Sequence, residues 1–593
     1  MTAITRAVAS IALGTLLFVP AAASAQALLD GVWNPYRGHE DDMDRGPGPD
    51  LGDYTGLPIN DAARLFAESW DASRLTLQEH QCRVHVAPYI FHGPLKLRIW
   101  QDKDPMTQQV IAIKNYISTY EQTRTIWMDG RPHPSPFAPH TFMGFSTGRW
   151  EGNVLVVTTT HLKQGWLRRN GVPESDQTTL FERFSRHGNV LTHTVIITDP
   201  VYLAEPMIRT TDFALTPEDD GNNWLWPCEY VEEISGRAKG EVPHYLPGQN
   251  PFLLEYARKT GTPAVATRGG PEVMYPEYQR ALEAGESRAA SRAEAARISQ
   301  AANPDRGGLE VVHVQGNVFL LAGGGANVVV QVGSSGAVMV DAKSGALTDR
   351  MLAEIKKLTP TTKPVRYLLN TSSDPDHIGG NQPLAAALGS LATWTIINTP
   401  GATQNAVQII AHDNVLARVN HLPATAWPTE TFVGEEKEIY FNDEPVFMYH
   451  IPAAHTDGDS MVFFRRSDVI ATGDIFRTDS YPVIDVEKGG SVEGVIAGLN
   501  RVLDLAVPAH HEEGGTYIVP GHGRICDEFD VLEYRDMVTI VRDRVKAMVD
   551  KHMTLAQVKG SRPTRDYDSR YGATTGPWTT DMFVEAVYRS LVK

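Results

Sequence analysis

Residues 370–381 read Asn370-Thr371-Ser372-Ser373-Asp374-Pro375-Asp376-His377-Ile378-Gly379-Gly380-Asn381. They follow a mostly apolar run, 364–369, that reads as a buried strand, so their polar side chains sit on a tight loop at a strand end. Asp374, Asp376 and His377 fall within four residues of one another. Carboxylates and an imidazole so closely spaced suit a divalent metal ion. The alternative is a polar turn whose aspartate caps the next helix. The surrounding chain separates the two readings.

Within 308–593 the pattern predicts strands at 309–314, 318–322, 327–332 and 337–340, a helix at 347–358 and a strand at 365–369. Helices are predicted at 382–388 and 403–419. A second run of strands follows at 438–441, 446–451, 461–464 and 469–472. Then come a helix at 492–505, a strand at 516–519 and a long helix at 527–549. Two similar halves of strands and helices indicate an α/β αββα sandwich. Three more motifs close predicted strands. They are His455 in Pro452-Ala453-Ala454-His455-Thr456-Asp457-Gly458-Asp459-Ser460, Asp474 in Thr472-Gly473-Asp474-Ile475-Phe476, and His522 in Val519-Pro520-Gly521-His522-Gly523. Singly, each histidine reads as a turn or core residue and Asp474 as a helix cap. Together and in this order, chance is a poor explanation.

Over residues 308–530 these motifs resemble the metallo-β-lactamase fold superfamily, and most of all its secreted members with Ala-His-Thr-Asp-Gly-Asp-Ser, Ala-Thr-Gly-Asp-Ile-Phe and Pro-Gly-His-Gly segments. Val340-Asp341 at the end of an early strand fits the same pattern. The family's leading motif is His-x-His-x-Asp-His. The resemblance implies one complete metal site made of Asp376, His377 and His522, with Asp474 as bridge or fourth ligand. In the other site Ser372 and Asp374 stand where histidines belong, and only His455 is unchanged. One carboxylate and one imidazole hold zinc less well than three imidazoles. The expectation is one tightly held Zn2+ with a second site that is weak or altered, iron or manganese being the other metals considered. Such a zinc would lower the pKa of its water to about 7, and the hydroxide would attack an ester, lactone, amide or β-lactam carbonyl. Asp376 would orient that water, with His455 and Asp374 as acid–base partners or further ligands and Ser372 as a hydrogen-bonding contact. Asp341 is expected to support the loop, and Asp457 and Asp459 to form turns. Lys343, Asp413 and Asp485 are weaker candidates for the substrate side. Two rivals remain: a non-catalytic ligand-binding protein with a degenerate metal site, and an iron-dependent oxidoreductase.

The 593 residues are too many for one domain, and 42% hydrophobic with 21% charged content is ordinary for a globular chain. Residues 1–25 carry Arg6, an apolar stretch and Ala23-Ser24-Ala25, a secretory signal with cleavage before Gln26. No cysteine follows the cleavage site, so a lipid anchor is not expected, and no later run spans a bilayer. Loss of Arg6 takes the formal charge from −17 to −18. An acidic chain repels nucleic-acid phosphate and anionic lipid, leaving a small-molecule substrate in a periplasmic or extracellular setting. Cys82 and Cys228 could pair there, with Cys526 odd.

Residues 26–235 read as a mostly antiparallel β accessory domain, barrel or sandwich, with strands at 95–100, 109–113, 120–128, 154–161, 179–184, 190–197 and 208–215. Asp129-Gly130-Arg131-Pro132-His133-Pro134 and Gly144-Phe145-Ser146-Thr147-Gly148-Arg149-Trp150-Glu151-Gly152-Asn153 resemble stretches of an uncharacterised domain of secreted bacterial proteins. They read either as a small-ligand pocket lined by His133, His140, Arg149 and Trp150, or as hairpin turns with an arginine stacked on a tryptophan. Trp224, Trp226 and Tyr230 read as core closure. Residues 236–307 read as a Pro/Gly-bearing linker packed over a surface, then a solvent-facing helix at 275–302.

Overall fold

The computed structural model describes residues 27–36, 49–91, 96–117, 121–216, 228–283, 308–359, 365–389, 406–509 and 515–592. The signal sequence, Trp224, Trp226 and the later part of the 275–302 helix lie outside these. Within it, Pro276–Glu283 is helical.

Nine strands form a closed barrel in the N-terminal unit. They are β1 (Gly31–Pro35), β2 (Leu97–Lys103), β3 (Val110–Ile117), β4 (Gln122–Trp127), β5 (Phe145–Glu151), β6 (Val154–Thr160), β9 (Thr179–His187), β10 (Val190–Thr198) and β11 (Met207–Thr216), with a hairpin of β7 (Gly165–Arg168) and β8 (Val172–Glu174) alongside. Pairing follows chain order and closes through β1 and β11. Every pair is antiparallel except β4 with β5. β5 escapes the sequence pattern because Gly148, Arg149 and Glu151 are poor strand formers. Gly148 is required there: a Cβ would come within 2.6 Å of Met128 Sδ and 2.9 Å of Ile126.

One end of the barrel interior is apolar, with Leu97, Ile99, Leu155, Phe184, Leu191 and Phe213. A charged layer follows. Arg124 Nη1 donates to Glu182 Oε1 at 2.9 Å, Nη2 to Thr159 Oγ1 at 2.7 Å and Nε to Ser146 Oγ at 3.1 Å. His193 Nε2 meets Glu182 Oε1 at 3.0 Å. Beyond it Leu180, Val195 and Ile197 join a hydrophobic cluster that continues into the C-terminal helices. Cys82 and Cys228 form a disulfide, and Cys526 is buried and free.

The C-terminal unit has two packed sheets. The first holds, in order, β12 (Glu310–Gln315), β13 (Val318–Ala322), β14 (Val328–Gly333), β15 (Gly336–Val340), β16 (Val365–Leu369), β17 (Gln408–His412) and β18 (Glu430–Phe432). The second holds β19 (Glu436–Phe441), β20 (Glu444–His450), β21 (Ser460–Phe464), β22 (Val469–Ala471) and β23 (Tyr517–Val519). Alternation sorts the strands into layers. Val318, Leu320, Val338 and Val340 meet Val446, Met448, Val462 and Phe464 between the sheets. Leu321, Val330 and Met339 turn outward to Met351 and Ile355 of the helix Thr348–Leu358. Phe463 and Ile470 turn to the helices Val492–Leu505 and Glu528–Val549. This is the expected αββα order.

The helix predicted at 403–419 is a correction. Its described part is strand β17, paired parallel with β16, and only Asp413–Val419 is helical. Ile409, Ile410 and Ala411 are buried on both faces of the sheet, and tertiary pairing overrides the helical pattern. Among the described residues no helix is long and apolar enough to cross a membrane. The 236–270 segment touches both units, with Tyr54 N donating to Thr267 O at 2.9 Å, Trp70 bridging His244 and Lys239 Nζ 2.6 Å from Asp504.

Burial alone would push Glu182 upward, but the Arg124 charge and hydrogen bonds outweigh it and hold the carboxyl at about 2. A depressed carboxyl stabilises the fold above its ordinary value of 4.5, and that contribution is lost as pH falls through about 2. Arg124→Met strands a buried carboxylate and should cost about 3–5 kcal/mol in denaturant unfolding at pH 7, and most of that should return in the double variant Arg124→Met/Glu182→Met.

Candidate metal centre

Four loops converge where strands end: 370–377 after β16, 451–459 after β20, 472–476 after β22 and 520–526 after β23. Close glycine approaches make this possible. A Cβ at Gly521 would lie 2.7 Å from the Gly473 backbone and 2.8 Å from Asp474 Oδ1, and Gly473 itself has φ +53.

The donors fall into two groups, Asp376/His377/His522 and Asp374/His455/Asp474, in each of which one ligand atom per residue lies within 4.8 Å of the others. Asp474 lies between them. Its Oδ2 is 3.1 Å from His377 Nε2 and 4.0 Å from His455 Nε2, and its Oδ1 is 3.6 Å from His522 Nε2. His522 Nε2 is 3.2 Å from Asp376 Oδ2, and His455 Nε2 is 3.0 Å from Asp374 Oδ2. The sequence reading foresaw one carboxylate and one imidazole for the second group; Asp474 adds a second carboxylate.

The outer nitrogens of two rings are fixed. His377 Nδ1 lies 2.8 Å from Asp341 Oδ2, and that carboxylate also takes the Thr371 amide and hydroxyl at 2.8 and 2.6 Å. His455 Nδ1 lies 2.9 Å from Val483 O. With Nδ1–H donating outward, each Nε2 presents a lone pair to the centre. Asp474 Oδ1 is buried with no hydrogen-bond partner, and His377 Nε2, equally buried, faces only the Asp474 carboxylate. Such an orphaned atom is costly unless a cation satisfies it. The donor set fits a metal ion.

Protons and lysine offset the carboxylates otherwise. Burial pushes the His377 ring down, but Asp474 and Asp341 outweigh it and raise the ring well above the usual range. Burial likewise opposes the charge on His455, yet its hydrogen bond to Asp374 and the charges of Asp459 and Asp474 lift it to about 9. Asp374 is held at about 2, since His455 and Lys488 overcome its burial. Lys488 Nζ donates to Asp374 Oδ1 at 3.2 Å and sits 3.1 Å from Asp485 Oδ2. Lys488 escaped the sequence reading because it lies 114 residues from Asp374 in no recognisable motif.

The remaining candidates separate. Ser372 is buried, its Oγ accepting from the Asp374 amide at 3.3 Å, which makes it a turn residue. Lys343 is fully buried with Nζ on Ala326 O, so it does not face substrate. Asp413 starts a helix and accepts from Thr431 at 3.2 Å. Asp485 caps a short turn and pairs with Lys488. Asp459 accepts from the Thr456 amide and hydroxyl at 2.7 and 2.9 Å, and Asp457 meets Arg418. In the barrel, His133 and His140 are held by hydrogen bonds to their own unit, and Arg149 stands apart on the surface. Both His133 nitrogens meet threonine hydroxyls, Thr160 at 2.7 Å and Thr147 at 2.9 Å, and Arg149 is exposed beside Glu151. Arginine does stack on tryptophan, but the pair is Arg131 over Trp127 at 3.5 Å.

Because the folded His455 is raised above its ordinary value of 6.5, its pairing stabilises the metal-free protein fully below that pH and is lost as pH rises through about 9. Metal uptake at the Asp374/His455/Asp474 group must displace this proton. Affinity there should rise with pH up to about 9, with proton release on binding, which calorimetry in buffers of different ionisation enthalpy reads directly. Uptake that is independent of pH between 6.5 and 9 would contradict this assignment.

Residues 312–522 match the metallo-beta-lactamase superfamily. No curated protein matches the chain. Among solved structures, the sec-alkylsulfatase Pisa1 from Pseudomonas sp. is 12% identical over 47% of this chain and 50% of its own, with TM-score 0.35. The chain thus spans about half the length of that sulfatase. The metallo-beta-lactamase DIM-1 is 15% identical over 39% of this chain and 98% of its own, with TM-score 0.31. A metallo-beta-lactamase from Hirschia baltica is 16% identical over 39% and 98%, with TM-score 0.30. Residues 312–522, the αββα sandwich with the His/Asp loops at its strand ends, form a metallo-beta-lactamase superfamily domain.

Proposed function

We propose that this protein is an exported metal-dependent hydrolase acting on a small molecule with an ester, lactone, amide or β-lactam carbonyl, in the periplasm or outside the cell. The observation that carries the reading is Asp474 Oδ1, buried without a hydrogen-bond partner, beside His377 Nε2 and facing His522 and Asp376. Asp376, His377, Asp474 and His522 would hold one Zn2+. Bound there, zinc supplies Lewis acidity and an acidified water. Asp376 is the more open carboxylate of this group, with 42% of its side chain exposed, and it can accept a proton from an incoming water and orient it. His455, paired to Asp374, is placed to donate a proton to a leaving group. The burial of His455 and Asp474 excludes bulk water and strengthens these interactions.

The second group, with two carboxylates and one imidazole, suits manganese or iron better than zinc. That composition favours partial occupancy, and it is the specific support for an iron-dependent alternative. Lys488 also competes with a second cation for Asp374.

Metal analysis of the purified chain should find about one tightly bound zinc. On an ester, lactone and β-lactam panel, Asp376→Ala and His522→Ala should each lower kcat/KM by about 100-fold or more. A metal-free, inactive wild type would remove the hydrolase reading. Two equivalents of iron without hydrolysis would favour the oxidoreductase. Lys488→Met, or Ser372→His with Asp374→His, should raise second-metal occupancy, read by equilibrium dialysis. Unchanged occupancy in both would mean that neither Lys488 nor the missing histidines set the stoichiometry.

A further inference from the structure

The His133 segment of the barrel reaches across to the other unit. His133 Nδ1 and His161 Nδ1 both meet Thr160 Oγ1 at 2.7 Å, and His161 Nε2 meets Ser135 O at 3.0 Å. His140 Nδ1 holds Leu162 O at 2.8 Å. Burial pushes all three rings down, so they serve as neutral hydrogen-bonding groups. The loop they shape delivers Phe137, 5% exposed, into the inter-sheet core beside Val519 and Ile525. These two residues flank the loop that carries His522.

Every fixed group on the first half of that loop is answered from within its own unit. Asn327 Nδ2 donates to Pro520 O at 2.9 Å and Gly523 O at 3.0 Å, and its amide donates to Gly521 O at 2.7 Å. Thr478 N donates to His522 O at 3.1 Å. The second half is tied to the barrel. Ile525 N donates to Phe137 O at 3.0 Å. Arg524 Nη2 donates to Asp176 Oδ2 at 3.3 Å, while Arg570 holds the same carboxylate at 2.6 and 2.8 Å. Lys163 Nζ donates to Asp527 at 2.7 Å and Asp530 at 2.8 Å, at the start of the helix that follows.

We infer that the N-terminal barrel is a brace for the metal centre, with Phe137 and Asp176 as positioning residues that hold the His522 loop. This rests on the proposed metal site and assigns the barrel a role in it. Supporting groups around metal ligands typically change affinity by about 10- to 100-fold. In the full chain, Phe137→Ala and Asp176→Asn should weaken Co2+ binding by about tenfold or more and shift its visible absorption, while Phe137→Leu restores both. Arg149→Ala, exposed elsewhere on the barrel, should leave them unchanged. Asp176→Asn keeps the side-chain volume, so it decides the matter if Phe137→Ala does not fold. Wild-type affinity and spectrum in both brace variants would overturn the inference. If the wild type itself takes no Co2+, the metallohydrolase reading fails, and hydrogen exchange of 520–526 in the metal-free chain still decides the brace. Faster exchange in the variants supports it, and unchanged exchange overturns it.

Discussion

A carboxylate shared by three imidazoles sets the terms for the C-terminal unit. Asp474 is buried, one of its oxygens has no hydrogen bond, and His377, His455 and His522 all turn a ring nitrogen toward it. In a low-dielectric interior such a group persists only with positive charge at hand, from protons on the rings or from a dication. The two sheets make that arrangement affordable in geometry. Because alternate residues of β13, β15, β20 and β21 interlock between the sheets, the neighbouring strand ends are brought to one edge. Their loops approach so closely that glycine is needed at 473 and 521.

The two donor groups then differ in how firmly they are prepared for a cation. His377 is fully buried and its ring is locked by Asp341, which is itself saturated by Thr371. That is an oriented candidate donor whose placement would not have to be achieved on binding. Asp374 sits at the other extreme, partly exposed, with Lys488 already against one oxygen and His455 against the other. An ion entering there must displace a proton and compete with an ammonium group. Asp374, His455 and Lys488 thus form an internally neutralised ion-pair cluster.

The ligand loops were legible in sequence because each places a charged or imidazole side chain among glycines just after an apolar strand, a pattern that short-range reading can see. The short apolar strands β13, β16 and β21 were legible from local sequence too. Strand β17 was not, since Gln408–His412 runs directly into a helix and its pairing with Leu368 and Leu369 is a long-range contact. Lys488 and Lys343 illustrate the same limit: one reaches Asp374 from a distant turn, and the other is swallowed by the core. The charged layer of the barrel was equally hidden. Arg124, Glu182 and His193 look like exposed strand positions until closure of the barrel turns them inward.

The division into an accessory domain and a metal domain is weaker in three dimensions than along the chain. One hydrophobic cluster contains Phe66, Val195 and Tyr202 together with Tyr534, Val538 and Phe583. Around it run buried or half-buried polar pairs that join the units, a hydrogen bond between His80 Nε2 and Asp536 Oδ2 at 2.8 Å and the ion pair of Arg83 with Glu528 at 2.6 Å. A desolvated pair of this kind contributes little net stability, but separating its partners is expensive because each is left buried and alone. The same holds for Lys163 between Asp527 and Asp530. The interface therefore resists partial opening more than it adds to stability, and the loop that carries His522 lies directly along it. The candidate donor His522 is thus placed where the surrounding structure is least free to separate, as a site that must hold its geometry requires.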